Sequence, residues 1–326
     1  MLSLRSHNIK STNPYRKKSA LRIFGALSLA AGLAVCGCRA RVGADGENAR
    51  FREYTRELFC REAASDTVNL HYTLKDPEEY GIEDPPVTFG SFDAEEEAVK
   101  AASENMRRSL LGFSYDDLDT QNRLTYDVLD YRLKNMDKSA EYLLYEEPLG
   151  LVSGVQTQLP VVLSEYQFYD RRDVDDYLAL MKTTGEYFDS LIRFENEKSE
   201  AGLFMADYAA DTVIGQCRAF LDMGDGNYLY STFADRIEEI KELTKEEKSE
   251  YIQDNALVIQ DYVFPAYEKL TAAVEDLKGS GKNEKGLVFL PQGKEYYELL
   301  AEQSTGSERS VDEMKDLTRR QISDDL

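Results

Sequence analysis

The sequence predicts an all-α protein, an irregular multi-helix bundle whose helices are joined by long, ordered apolar loops. Apolar residues recur at helical spacing through most of the chain, and some runs open with a capping pair, such as Thr244 with Glu247 and Ser310 with Glu313. No fixed period repeats along the 326 residues, which separates an irregular bundle from a helical solenoid. The 42% hydrophobic content is enough for a large core. The 61 acidic and 39 basic residues leave a net charge of −22. This excludes nucleic acid as a partner, because phosphate binding needs a basic face.

The chain opens on a basic leader. All six charges of residues 1–37 are basic, so the rest of the chain carries −28. Arg16, Lys17, Lys18 and Arg22 precede the apolar run Ile23 to Val35, too short for a membrane span and of the right length for a signal peptide. Val35-Cys36-Gly37-Cys38 follows and resembles a bacterial lipobox, with small Gly37 before Cys38. The expectation is a signal peptide over 1–37, lipid attachment at Cys38, a tether over 38–48 and a helical body over 49–326. Two or more acyl chains hold such a protein stably in lipid. The expected address is the outer face of the bacterial cytoplasmic membrane, with membrane lipid as the first partner.

In the body, a helix is expected from about Ala49 to Ala64, with Phe51, Tyr54, Leu58 and Phe59 on one side. From Asp66 to Gly90 the period is lost and Pro77, Pro85 and Pro86 appear, which predicts a mostly extended connection. Helix resumes at Asp93, with Glu96 as its capping-box partner, and runs to about Gly112. A third helix, Thr120 to Asp137, carries Leu124, Val128 and Tyr131 on one stripe and Leu129, Leu133 and Met136 beside it, predicting burial on a broad face.

Tyr145 to Tyr169 is apolar but broken by Pro148, Gly150, Gly154 and Pro160, and reads as an irregular connection packed between helices. Asp173 is expected to cap a long helix to about Glu195, and a further helix runs from Ala206 to Leu221. A short helix is expected from Tyr228 to Leu243. The longest, opened by Thr244, reaches Lys278 with a kink or break at Pro265. Lys294 to Gln303 and a last helix after Ser310 complete the set. Leu326 falls inside that last, freshly capped helix, which predicts an element cut short.

The residues limit the chemistry. Zinc hydrolysis needs paired imidazoles one helical turn apart. Of the two histidines, His7 lies in the leader, leaving His71, and a lone histidine is more often a hydrogen-bonded structural residue than a ligand. His71 is also the sole base available to a serine or cysteine nucleophile. Carboxylate pairs such as Glu146 and Glu147, or Asp175 and Asp176, are expected as solvated faces in so acidic a chain. Asp222 to Tyr228 resembles half of a calcium loop, but Thr232, Phe233 and Ala234 stand where a closing glutamate belongs. Cys60 and Cys217 can pair or stay as separate thiols.

Ser65 to Ile82 (SDTVNLHYTLKDPEEYGI), TYDVLDYRL from Thr125, EEPLGLVSGVQTQLPVVLSEYQFY from Glu146, DVDDYLALM from Asp173, KSEAGLFMADY from Lys198 and GKEYYELL from Gly293 stand in a specific order and spacing. Together they resemble the N-terminal half of the domain-of-unknown-function 885 family, bacterial and often lipid-anchored proteins. The resemblance implies a largely helical chain similar to zinc metallopeptidases of the His-Glu-motif class. It places the zinc ligands in a C-terminal half that this chain lacks, so none maps onto a position here and no cofactor is expected in these residues. It further implies that Gln156, Gln158 and Tyr166 line one wall of a peptide cleft, and that the chain is inactive alone. The alternative is a non-catalytic surface lipoprotein that binds peptides or a protein partner.

Overall fold

The computed structural model describes residues 44–282 and 285–326. The leader, the lipobox and Cys38 lie outside the described residues. Helix α1 (Ala44–Ala63) begins inside the segment expected to be a tether, because Glu47 and Asn48 are buried and bonded. Glu47 Oε1 accepts from Ser114 N at 2.7 Å and Asn48 Oδ1 from Asp119 N at 2.8 Å. The expected extended segment holds a second helix, α2 (Thr67–Thr73), with Asp66 as its N-cap accepting from Asn69 N at 2.8 Å. That short helix folds back on α1 over Ala63, Leu70, Leu74 and Ile82.

Helices α3 (Glu96–Leu110) and α4 (Thr120–Ser139) pair and meet α1 around Phe51, Leu110, Leu118 and Leu133. The Asp93–Glu96 capping box does not form. Asp93 Oδ2 instead accepts from the Ser91 hydroxyl at 2.8 Å, and the helix starts later without a side-chain cap. On α4 the broad apolar face is half covered: Leu133 is buried, whereas Leu124 and Val128 are exposed.

The main core is built by α5 (Val155–Glu165), α6 (Arg171–Lys182), α7 (Thr184–Glu200), α8 (Asp207–Leu221), α9 (Tyr228–Glu238), α10 (Lys245–Val258) and α11 (Phe264–Leu277). Helix α11 is central and packs against α7 and α8. The break expected at Pro265 is a single π-helical turn, Ile259–Val263, closed by Phe264 N bonding Ile259 O. The long helix expected from Asp173 is two helices. Thr183 and Thr184 turn their hydroxyls back onto the carbonyls of Leu180 and Met181, both at 2.7 Å, and the chain bends between them.

Tyr145 to Tyr169 is likewise not irregular throughout, since α5 occupies its second half with Pro160 inside. Proline removes the amide that would bond the Gln156 carbonyl one turn back. The Tyr267 hydroxyl of α11 donates to that carbonyl at 3.0 Å, and both residues are buried. The helix keeps its proline because a side chain supplies the missing donor.

After Gly279, whose φ of +88° ends α11 in the left-handed region, the chain reaches α12 (Gly293–Thr305) and α13 (Val311–Asp325). Helix α12 leans on α4: Tyr131 Oη donates to Glu302 O at 3.1 Å, and Lys138 pairs with the Glu302 carboxylate at 2.7 Å. The Ser310–Glu313 capping box of α13 forms as its sequence implies, but the helix buries no residue, and Leu317 and Ile322 on its apolar side are exposed.

Candidate functional site

Helix α2 carries His71 to the start of α6. The Asp66 cap orders α2, and Leu70 and Leu74 seat it against α1, which turns His71 towards Asp173 and Tyr166. Asp173 is not the cap of α6, as the sequence suggested. The cap is Asp170, and Asp173 is the third residue of its capping box. That position fixes both carboxylate oxygens: Oδ2 accepts from Tyr169 N at 2.7 Å, while Oδ1 lies 3.3 Å from His71 Nδ1. Burial raises the Asp173 pKa, but the bonds from His71 and from the Tyr169 and Asp170 amides outweigh it, and the carboxyl titrates below its ordinary range.

Aromatic rings surround the imidazole. Tyr166 stacks on it with centroids 4.1 Å apart and planes 16° apart, Tyr72 meets it edge-on at 4.9 Å, and Tyr169 lies at 5.8 Å. Tyr72 and Tyr169 are exposed, so the buried pair sits beneath a tyrosine rim. Burial, then the nearby Asp173 and Asp176 carboxylates, push the Tyr166 phenol far up, so it stays neutral. Behind the shelf, Arg236 donates to the Tyr166 carbonyl and lies over Phe168 at 4.6 Å and Tyr177 at 5.2 Å. His71 Nδ1 is committed to Asp173, while Nε2 is buried with no hydrogen-bond partner. The carboxylate therefore fixes the orientation of a ring that is closed to solvent and that supports the tyrosine rim from beneath.

The three residues expected to line a cleft fall in three neighbourhoods. Tyr166 is buried in this shelf. Gln158 borders a small apolar void with Val68, Phe89, Leu159, Val162 and Tyr187. Gln156, 2% exposed, is a clamp. Its Nε2 donates to Gly150 O at 2.6 Å and to Gln216 Oε1 at 2.8 Å, and Gln216 Nε2 donates to Leu151 O at 2.9 Å. These bonds pin the Pro148–Gly154 turn to α5 and α8. A β-carbon on Gly154 would lie 2.2 Å from Gly150 N, so the turn requires glycine there.

Sequence reasoning missed the His71–Asp173 pair and Arg236. The Asp170-x-x-Asp173 spacing marks Asp173 as a capping-box acid but does not name His71 as its partner. The contacts of Arg236 cross 70 residues and leave no local trace. Zinc does not fit these residues: among the described residues no three His, Cys, Asp or Glu side chains are grouped to hold a metal ion, and the single imidazole there has one nitrogen taken. Among them also, no helix is long and apolar enough to cross a membrane.

Comparison with curated proteins finds no match. A crystal structure described as "the putative lipoprotein from Colwellia psychrerythraea" has the same fold, with a TM-score of 0.68 at 18% identity. The match covers 82% of this chain and 47% of that one, so this chain spans about half of its neighbour's length. Residues 85–325 match the family described as "Bacterial protein of unknown function (DUF885)", and the chain belongs to that family.

Proposed function

We propose that this chain is the exported, lipid-anchored helical half of a peptidase-like protein. Cys38 tethers it to the outer face of the cytoplasmic membrane, and its body forms one wall of a peptide cleft whose metal chemistry lies outside these residues. The single observation that carries the cleft reading is the shelf at His71: a buried imidazole oriented by Asp173 under exposed Tyr72 and Tyr169, where an extended peptide finds aromatic faces. Of the three residues expected in the wall, Tyr166 belongs to this shelf, and Gln156 acts from behind by holding the neighbouring turn. A basic leader ending in a lipobox, and the description of the Colwellia protein as a lipoprotein, support the tether.

Fluorophore-labelled unstructured peptides test the wall. Binding to the purified chain should weaken several-fold in Tyr169→Ala and Tyr72→Ala, with no hydrolysis after zinc is added. Hydrolysis by this chain alone would refute the division of labour, and absence of binding would refute the wall. Fatty-acid labelling in a bacterial host that stops in Cys38→Ala, with the protein leaving the membrane fraction, is the expected result for the tether.

A further inference from the structure

A second cluster lies at the C-terminal part of α7. Glu195 and Lys198, one turn apart on that helix, are both buried, with relative exposures of 1% and 0%. Lys198 Nζ donates to the Glu146 carbonyl and pairs with Glu147 Oε1 at 3.2 Å, tying α7 to the segment that enters the Pro148–Gly154 turn. Both carboxyl oxygens of Glu195 are sequestered without a partner. A buried carboxyl in that condition is stable as the neutral acid, while an ionised one demands a cation. The cation within reach on its own helix is Lys198, already engaged elsewhere.

We propose that Glu195 and Lys198 form a pH-sensitive latch on the turn Pro148–Gly154: with Glu195 protonated, Lys198 holds residues 146–147 against α7, and with Glu195 ionised, Lys198 is drawn to Glu195 and the turn is released. The proton passes to solvent, and no other bond changes. The groups around the latch agree with that competition. Glu147 opposes ionisation of Glu195 and Lys198 favours it. On the α12 side, Tyr296 has its phenol pushed up to about 12 by burial and then by Glu146 and Glu147, so it stays neutral. Burial pushes the Glu195 carboxyl up to about 7, which sets the working range near neutrality. The released segment is the one that Gln156 and Gln216 clamp, so the latch controls the order of the turn ahead of α5. It stands independently of the peptide reading.

Amide hydrogen exchange of residues 146–156 in the full-length chain, corrected for intrinsic rates, tests the latch. Opening should rise by roughly tenfold or more between about pH 5.5 and about pH 8. Glu195→Gln should abolish that dependence and keep the turn protected at both values. Glu147→Gln, at an exposed position, should move the transition to lower pH by easing Glu195 ionisation, and it serves if Glu195→Gln fails to fold. Equal protection of the wild type at both pH values, or an unmoved transition in Glu147→Gln, would overturn the proposal.

Discussion

The bond from Tyr267 to the Gln156 carbonyl makes a sharp prediction, because one atom explains why a proline sits inside α5. Tyr267→Phe removes the hydroxyl and leaves a buried carbonyl with neither an amide nor a side chain to donate to it. The acceptor residue is 2% exposed, the tyrosine 0%, and the bond is 3.0 Å long. Burial raises the Tyr267 pKa well above its ordinary value, so the donor proton is present at every working pH. Losing one partner of a buried pair costs about 1–3 kcal/mol. Pro160→Ala restores the amide at residue 160, which then bonds Gln156 O within the helix. In that background Tyr267→Phe should cost less than about 1 kcal/mol. Urea unfolding followed by circular dichroism on the four proteins of this cycle gives the coupling. Equal costs of Tyr267→Phe in both backgrounds would refute the claim that the phenol stands in for the proline's missing amide.

Three further outcomes follow from the geometry. Gly154→Ala should destabilise by about 1–3 kcal/mol in the same assay, since its β-carbon meets backbone at Gly150 and must displace the turn. Asp173→Asn should destabilise the chain at neutral pH. The folded pKa of Asp173 is depressed, so its contribution is present above the unfolded value and disappears as pH falls through the folded one; wild type and variant should converge in acid. Glu195 has the opposite sign. Its carboxyl is raised from 4.5 to about 7, so the wild type should lose up to about 3 kcal/mol as pH rises between those values, and Glu195→Gln should not. A wild-type stability that rises through this window in step with Glu195→Gln would contradict the burial of an unpaired acid.

Helix starts were legible where the capping box forms. Thr244 with Glu247 and Ser310 with Glu313 both form the boxes that their spacing implies. The misreadings share a physical cause: tertiary partners supplied what the local sequence lacked. Pro160 reads as a breaker until Tyr267, 107 positions later, satisfies the carbonyl it frees. Asp93 reads as a cap because Glu96 stands three residues on, yet its carboxylate is taken by Ser91. Covering of a stripe is likewise a tertiary property. The period that placed Leu124 and Val128 on one face of α4, and Leu317 and Ile322 on one face of α13, is real, while their exposure depends on which elements pack there.

The site was less legible than the fold, and Asp173 shows why. Its local role follows from sequence once Asp170 is recognised as the cap, because the third residue of a capping box must turn its carboxylate back to the start of the helix. That obligation uses one oxygen. The second points away from α6, and whatever reaches it is decided by how α2 is seated, which Asp66, Leu70 and Leu74 govern from a separate segment. His71 was therefore visible as the one imidazole of the body and its partner visible as a helix-start acid, with nothing local to join them. Because one carboxylate serves both the cap and the imidazole, Asp173→Asn and Asp170→Asn should separate in their effects. Either weakens the start of α6, but only the first removes the charge beside His71. The His71 ring resonances, followed by NMR at one neutral pH, should move in Asp173→Asn and hold in Asp170→Asn; equal movement in both would mean that helix order, not the carboxylate, orients the imidazole.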